Sequence, residues 1–213
     1  MSLTLAIDCA MRWLNLGLAD GDLPLGAEAV NADRGQSAML AGAVEGFLSR
    51  NGVSLRDLRL IAVTNGPGYY TGIRVGLSYA TALAESLGIP IAPVCTLYAM
   101  AFPYLRAGFI TVPVLKAGRD SIYCAAYKGS ETIAPPAFCA PDELTGAVLG
   151  TLENPSDVLV TGFDALQFDE IKNCGATVLP TPPAIGLDLA VCAASVRATD
   201  PAAVTAIYLR SPG

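Results

Sequence analysis

Apolar runs and apolar positions at helical spacing alternate along the first third of the chain. Residues 3–7 and 14–19 are two apolar runs on either side of a polar turn, and they predict a β-hairpin. Between residues 36 and 50 apolar side chains recur at helical spacing, and Asn51 and Gly52 supply a stop signal. The chain is therefore predicted to open with a hairpin and a helix.

A second group of elements surrounds the glycine-rich stretch NGPGYYTG. Residues 58–63 form a buried type of strand before it, and residues 73–87 follow it with helical spacing up to Gly88. Residues 91–94 then form another short apolar strand. Strands that alternate with helices in this way predict an α/β fold.

The second half of the chain predicts a second lobe. A helix over 98–105 precedes a second hairpin, with strands at 110–115 and 121–127. We therefore place a lobe boundary between residues 107 and 108, with an N-terminal lobe 1–107 and a shortened C-terminal lobe 108–213. Prolines interrupt the pattern beyond the hairpin, where the sequence predicts helices at 141–152 and 187–198 and a strand at 158–161. No internal repeat is visible.

Composition indicates a globular chain outside the membrane. Hydrophobic residues make up 53% of the 213 residues and charged residues 15%, which excludes a disordered chain. No apolar run approaches the roughly 20 residues of a membrane span. The first residues carry no basic leader, and Asp8 interrupts the apolar run, so we expect a cytoplasmic protein.

Charge and missing residue types exclude several classes of chemistry. Lys and Arg number 13 against 19 Asp and Glu, a net charge of −6, which is the wrong sign for direct binding to a nucleic-acid backbone. Histidine is absent, which removes the usual general base and metal ligand. The six cysteines form no CxxC pair and are interpreted as buried free thiols, so we expect no zinc or other metal site.

The glycine loop leaves two interpretations open. It lacks the lysine of a P-loop and has one residue too many for a GxGxxG fingerprint. An anion could still bind at the start of the following helix, with Arg74 nearby. Alternatively, the glycines only permit a sharp turn from strand to helix. The residues that a nucleotide site would use are Asp8, Gly66, Gly68 and Thr71.

Asp8 is the candidate acidic residue of such a site. It ends an apolar strand, where a desolvated carboxylate could bind magnesium or, through it, nucleotide phosphates. An aspartate at this place could equally cap a turn.

Small residues form a stripe along the helix after the glycine loop. Gly72, Gly76, Ala80 and Ala84 recur every four residues, so another backbone could approach this face closely. The stripe could pack within its own lobe, or against the first helix and a partner subunit. The first helix carries further small or apolar positions outside its core face, at Ala38, Met39, Ala41, Gly42 and Ala43.

Several stretches resemble the TsaB (YeaZ) family, which is glycoprotease M22-like. The family segment has GPG, two residues, TG, an apolar residue and R, then a helix that leads to LGIP, as in IAVTNGPGYYTGIRVGLSYATALAESLGIPIAPVCTLYAMA. LAIDCAMRWLNLGLAD resembles the opening hairpin of the family, VPVLKAGRDSIYCAAYKG its second hairpin and AIYLRSP its C-terminal ending. The chain departs from the family pattern at DCAM, QSA and KAGRDS.

The resemblance implies a two-lobed fold of the actin-like ATPase (ribonuclease H-like) superfamily with a shortened second lobe. It also implies a non-catalytic scaffold or activator that works with TsaD and TsaE to make N6-threonylcarbamoyladenosine beside the anticodon of tRNA. TsaD would supply the metal and nucleotide, so this chain would need no cofactor beyond weak nucleotide binding and would meet tRNA only indirectly.

Family members pair through the two helices of the N-terminal lobe, as homodimers in isolation or with TsaD. Mapped onto this sequence, the resemblance implies an interface at Met39, Ala43, Gly72, Arg74, Gly76, Ala80 and Ala84. Two other functions stay open, a nucleotide-binding enzyme of the same superfamily that uses Asp8 and a glycoprotease-like peptidase. The peptidase lacks support from any residue in the sequence.

Overall fold

The structure, a computed structural model, describes residues 2–33, 35–147, 157–180 and 184–210. These residues form two compact units. The first contains the described residues up to 99 together with 184–208, and the second contains those between 100 and 180 together with 209 and 210.

A five-stranded sheet in the order β3-β2-β1-β4-β5 forms the centre of the first unit. β1, β2 and β3 are antiparallel neighbours, whereas β4 and β5 run parallel to β1. Every residue of β1 is buried because the strand has neighbours on both sides and covered faces. The strands are β1 (Leu3–Asp8), β2 (Trp13–Asp20), β3 (Leu23–Asn31), β4 (Leu60–Thr64) and β5 (Ile91–Val94).

Two long helices cover one face of this sheet. α1 (Gln36–Arg50) precedes β4 and α2 (Tyr70–Leu87) follows it, and the two helices contact each other. Leu5 and Ile7 of β1 share one buried cluster with Phe47 of α1 and the alanines of α2. A third helix, α3 (Thr96–Arg106), follows β5 and contains the boundary between the units.

The sheet of the second unit repeats the plan of the first. Its order is β10-β9-β6-β7-β8, with the first three strands in sequence antiparallel and the last two parallel to β6. Among the described residues, the helices between these strands are α4 (Glu143–Ala147) and α5 (Asp169–Lys172). The strands are β6 (Ile110–Lys116), β7 (Ile122–Lys128), β8 (Glu131–Cys139), β9 (Val158–Thr161) and β10 (Thr177–Leu179).

Residues 184–208 return to the first unit, whereas the sequence analysis assigned them to the second lobe. They include α6 (Gly186–Cys192), which contacts β1, β2 and β3. Gly17 in β2 lies opposite Ala6 in β1, and a Cβ added to Gly17 would overlap the carbonyl oxygen of Gly186. α6 therefore covers the sheet face that alternation assigns to Ala6 and Asp8.

The structure contains three strands that the sequence analysis missed, and all three lie at sheet edges. β3 has Pro24 and Gly26 and is mostly exposed or half-buried, so it lacks an apolar run. β8 contains Pro135 and Pro136, which an edge strand tolerates because one side of it makes no ladder hydrogen bonds. β10 has only three residues.

Helix positions agree with the predictions better than helix lengths. α1 has its predicted bounds, and α2 begins at Tyr70, three residues earlier than predicted. The predicted helix 187–198 gives way at Ala193 to a 3-10 turn. The predicted helix 141–152 is α4, and residues 148–152 lie outside the described residues. No helix in the described ranges combines the length and the apolar character that crossing a membrane requires.

Candidate partner surface and glycine loop

The glycine loop between β4 and α2 is filled by backbone of the same unit. A Cβ added to Gly68 would overlap the carbonyl oxygen of Ala10, and Tyr69 donates a backbone hydrogen bond of 2.7 Å to that same oxygen. Gly66 has a φ of +105°, and a Cβ there would overlap the carbonyl oxygen of Ile207. Gly66 and Gly68 are therefore needed for close contacts within the chain.

Asp8 lies at the end of β1 and is fully buried. Its Oδ1 accepts hydrogen bonds from the Thr64 hydroxyl at 2.6 Å and the Ala10 amide at 3.0 Å, and its Oδ2 accepts one from Asn15 Nδ2 at 2.8 Å. The hydrogen bond from the Ala10 amide is the one expected of an aspartate that caps a turn. Burial raises the pKa of Asp8 above its ordinary value, although the three hydrogen bonds act in the opposite direction.

Thr64 and Asn15, which lie beside Asp8, have neutral oxygen atoms that could bind a cation. Asn15 Oδ1 is buried and has no hydrogen-bond partner in the described part of the chain. Carboxylate and amide oxygens are the ligands that magnesium prefers. Within the described ranges, no three His, Cys, Asp or Glu side chains come together to form a metal site.

The small-residue stripe of α2 faces the sheet of its own unit. Gly72, Gly76, Ala80 and Ala84 are all buried. A Cβ on Gly72 would overlap the carbonyl oxygen of Cys9, and one on Gly76 would lie 3.3 Å from Cys9 Cβ. These four residues are therefore buried within the first unit and not exposed to a partner, and their small size lets α2 approach the turn after β1 and the sheet beneath it.

The outward face of α1 consists of four small residues with Glu45 and Met39, and Met39 is 38% exposed. Ala43, the other predicted contact, is half-buried and packs against the core cluster of the first unit. The exposed residues of this face are Ser37, Ala38, Met39, Ala41, Gly42 and Glu45. Because most side chains on this face of α1 are small, another helix can approach its backbone closely.

Helix α2 carries a surface pocket of about 300 Å³ on its outward side, lined by Tyr70, Thr71, Arg74, Val75 and Ser78. Thr71 and Arg74 are exposed, so these two predicted residues do lie at the surface. The sequence analysis missed Tyr70, Val75 and Ser78 as lining residues. The spacing of positions 71, 74, 75 and 78 on a helix, opposite the small stripe, is the signal that identifies this face.

Comparison with known proteins gives the family. Residues 30–202 match the sequence model described as TsaD: tRNA N6-adenosine threonylcarbamoyltransferase. An uncharacterized protein of Mycobacterium leprae is 30% identical over 217 residues, which cover 100% of this chain and 56% of that protein. A tRNA threonylcarbamoyladenosine biosynthesis protein TsaB of Bacillus subtilis is 32% identical over 58% of this chain and 54% of its own length. The matched residues thus cover about half the length of each of these two curated relatives.

The fold agrees with these matches. YeaZ from Pseudomonas aeruginosa superposes with a TM-score of 0.82 at 20% identity, covering 98% of this chain and 100% of that one. The predicted α/β fold of the actin-like ATPase type, with two sheets, is confirmed. Because the family model matches most of the chain, the protein belongs to the family of tRNA N6-adenosine threonylcarbamoyltransferase, and proteins named TsaB in Bacillus subtilis and Escherichia coli are among its relatives.

Proposed function

We propose that the chain is a non-catalytic scaffold or activator that pairs with a TsaD protein and, with TsaE, serves the threonylcarbamoyladenosine modification of tRNA. The relatives named TsaB carry this biosynthetic role in their names. Pairing takes place through the outward faces of α1 and α2, and the isolated chain pairs with a second copy of itself through the same faces.

The main support for the proposal is the position of Gly42. It lies exposed in the middle of α1, and nothing lies within 4 Å of the position that its Cβ would take. Glycine within a helix costs about 0.5–1 kcal/mol relative to alanine. The packing of the first unit therefore gives no reason for glycine here, whereas a partner helix that passes close to α1 does give one.

The neighbourhood of Gly42 fits a helix–helix contact. Ala38 and Ala41 are exposed beside it, and Met39 adds an adaptable apolar side chain. α2 is in contact with α1, so the exposed residues of both helices belong to one surface of the first unit. Met39 and Gly42 on α1, with Thr71 and Arg74 on α2, are the proposed partner contacts.

The chemistry of the chain supports an accessory role. The sequence has no histidine, and a net charge of −6 disfavours direct binding to tRNA, so tRNA is bound by the partner. Burial raises the pKa values of the Cys9 and Cys124 thiols, which disfavours the thiolate that a cysteine nucleophile needs. A peptidase activity gains no support from these groups.

A second candidate, a nucleotide-binding enzyme, rests on the unpartnered Asn15 Oδ1 beside Asp8. ATP with magnesium would have to bind at Asp8 for this function. Calorimetry with the wild type and Asp8→Asn tests it: binding that the substitution abolishes favours the second candidate, and no binding at millimolar ATP contradicts it.

The experiment for the scaffold role mixes the chain with the TsaD protein of the same organism and measures complexes by size-exclusion chromatography with light scattering. We expect a heterodimer that Gly42→Gln weakens. Gly146→Gln is the matched control, because Gly146 lies in α4 and a Cβ there would also meet open space. If no complex forms, even with TsaE and nucleotide present, the scaffold proposal is wrong.

A further inference from the structure

Arg74 on α2 is a surface cation without a carboxylate partner in the described residues. The ion pairs found there join Arg50 to Glu28 and Lys172 to Asp169. No acidic residue lies in the first turn of α2, and none lines the pocket that Arg74 shares with Thr71 and Ser78.

The Arg74 side chain contacts Tyr70, which in turn packs against Tyr208. Its Nη1 donates a hydrogen bond of 3.3 Å to the Tyr70 hydroxyl, and its Cζ lies 5.4 Å from the centroid of the Tyr70 ring. The Tyr70 ring in turn lies 5.0 Å from the ring of Tyr208. Contact with an aromatic face leaves the charge of a guanidinium intact, and most of its donors stay available. The cation is thus positioned but not neutralised.

The other residues of the pocket suit a small anionic group on an apolar stem. Thr71 and Ser78 contribute hydroxyl groups that can donate to an oxygen, and Val75 contributes an apolar wall. On a chain of net charge −6, a positive pocket without a carboxylate also favours the approach of a negative group at this place.

We propose that this pocket receives the carboxylate of an Asp or Glu side chain from the partner protein, with Arg74 as the residue that recognises it. The inference rests on the proposed function, because the pocket lies on the surface of α2 that the partner is proposed to cover. A guanidinium binds a carboxylate through two parallel hydrogen bonds, which fixes direction as well as charge. Arg74 thereby sets which partner helix fits and in which orientation.

The test measures the dissociation constant of the complex with the TsaD protein by calorimetry, at low and at high salt. We expect Arg74→Glu to weaken pairing at least about ten-fold, since it places like charges together. Arg74→Lys keeps the charge but loses the planar fork, and a weakening of about three-fold is expected. Tyr208→Ala removes the support for Tyr70 and is expected to weaken pairing about two-fold.

The matched control is Arg56→Glu, which makes the same charge change in an exposed 3-10 turn that belongs to neither α1 nor α2. It should leave the dissociation constant within about two-fold of the wild type. Thermal unfolding of Arg74→Glu should match that of the wild type, because Arg74 is exposed and its loss leaves no cavity.

The outcomes separate this inference from the function on which it rests. If the wild type pairs and Arg74→Glu pairs equally well, the carboxylate assignment is wrong and the scaffold role stands. If the wild type does not pair, the scaffold role fails and this inference fails with it. A further measurement tests whether the free chain binds inorganic phosphate. If the wild type binds phosphate and Arg74→Glu does not, the pocket is a site for a free anion, and the carboxylate assignment is wrong.

Discussion

The two units share one sheet plan and differ in what lies on it. Each sheet consists of three successive strands in antiparallel pairing and two further strands that run parallel to the first of these three. In the first unit the connections around the fourth strand are α1 and α2, of 15 and 18 residues. In the second unit, α5 between the last two strands has four residues. The same sheet plan therefore does not determine the length of the helices that connect its strands, and the proposed partner surface lies on the unit with the two long helices.

The units also differ in how closely their helices approach their sheets. α2 can contact the end of β1 because glycine and alanine occupy its inner face. A glycine also follows the fourth strand of the second unit, where a Cβ on Gly162 would overlap the carbonyl oxygen of Val114. Close backbone contact at the end of the fourth strand is thus common to both units, and the first unit extends it along a whole helix.

The largest expected effect comes from filling that contact. Gly72→Val places side-chain atoms on the Cys9 carbonyl, and we expect a loss of about 3 kcal/mol or more in the free energy of unfolding, measured with urea. Gly162→Val should cost a similar amount in the second unit, since the overlap is of the same kind. Stability equal to that of the wild type for Gly72→Val would contradict the backbone contact.

Ala80→Leu tests the inward direction of the stripe. Ala80 has no exposed surface, so the larger side chain overpacks the core and should cost about 1–3 kcal/mol in the free energy of unfolding. Ala82→Leu, on the exposed side of the same helix, is the control and should leave stability nearly unchanged. If the two variants unfold alike, α2 does not pack with the stripe inward.

The buried carboxylate of the first unit predicts a pH dependence. Because the pKa of Asp8 is higher in the folded than in the unfolded chain, the folded state binds the proton more strongly. The stability from this group is full below its unfolded pKa of about 3.8 and is lost as the pH rises through its folded pKa.

Asp8→Asn removes this titration. Asn15 can rotate its amide and accept from the new side chain with its unpartnered Oδ1. We therefore expect the free energy of unfolding of the wild type to fall relative to Asp8→Asn as the pH rises from about 4 towards neutral. Urea unfolding at several pH values measures the difference, and a difference that does not change with pH would refute it.

The smallest expected effect is a gain in the stability of the isolated chain. Gly42→Ala should stabilise the isolated chain by about 0.5–1 kcal/mol, because alanine is the better helix residue and meets open space there. The melting temperature of the isolated chain measures it. A loss of stability would mean that the first unit itself needs glycine at this position and would remove the main support for the partner surface.

The sequence predicted the helices and strands whose buried residues form a clear apolar pattern along the chain. α1 and β5 have their predicted bounds because one face of the helix and the whole strand are sufficiently apolar. β8 was missed because its prolines are tolerated only at a sheet edge, which local sequence does not reveal. The return of α6 to the first sheet was missed for a similar reason, since it depends on contacts between distant parts of the chain.

The candidate site was harder to predict than the fold. A stripe of small residues fits an internal contact and an external one equally well, and only the position of the Cys9 carbonyl decides between them. Arg74 was identified from its place just after the glycine loop and from the family pattern, which contains an arginine there. Its support by Tyr208 was missed, because a stacking contact between residues so far apart in the chain has no local signal.

The return of residues 184–208 to the first unit also constrains how the protein is made. Ile207 donates a hydrogen bond to the Asn65 carbonyl oxygen, and Thr199 pairs with Ile91, so the first unit needs residues translated more than a hundred positions later. On the ribosome, β6 to β10 are all synthesised before that segment. The first unit therefore gains its last contacts late in synthesis, and a nascent chain that lacks this segment leaves Tyr70, in the first turn of α2, without its contact to Tyr208.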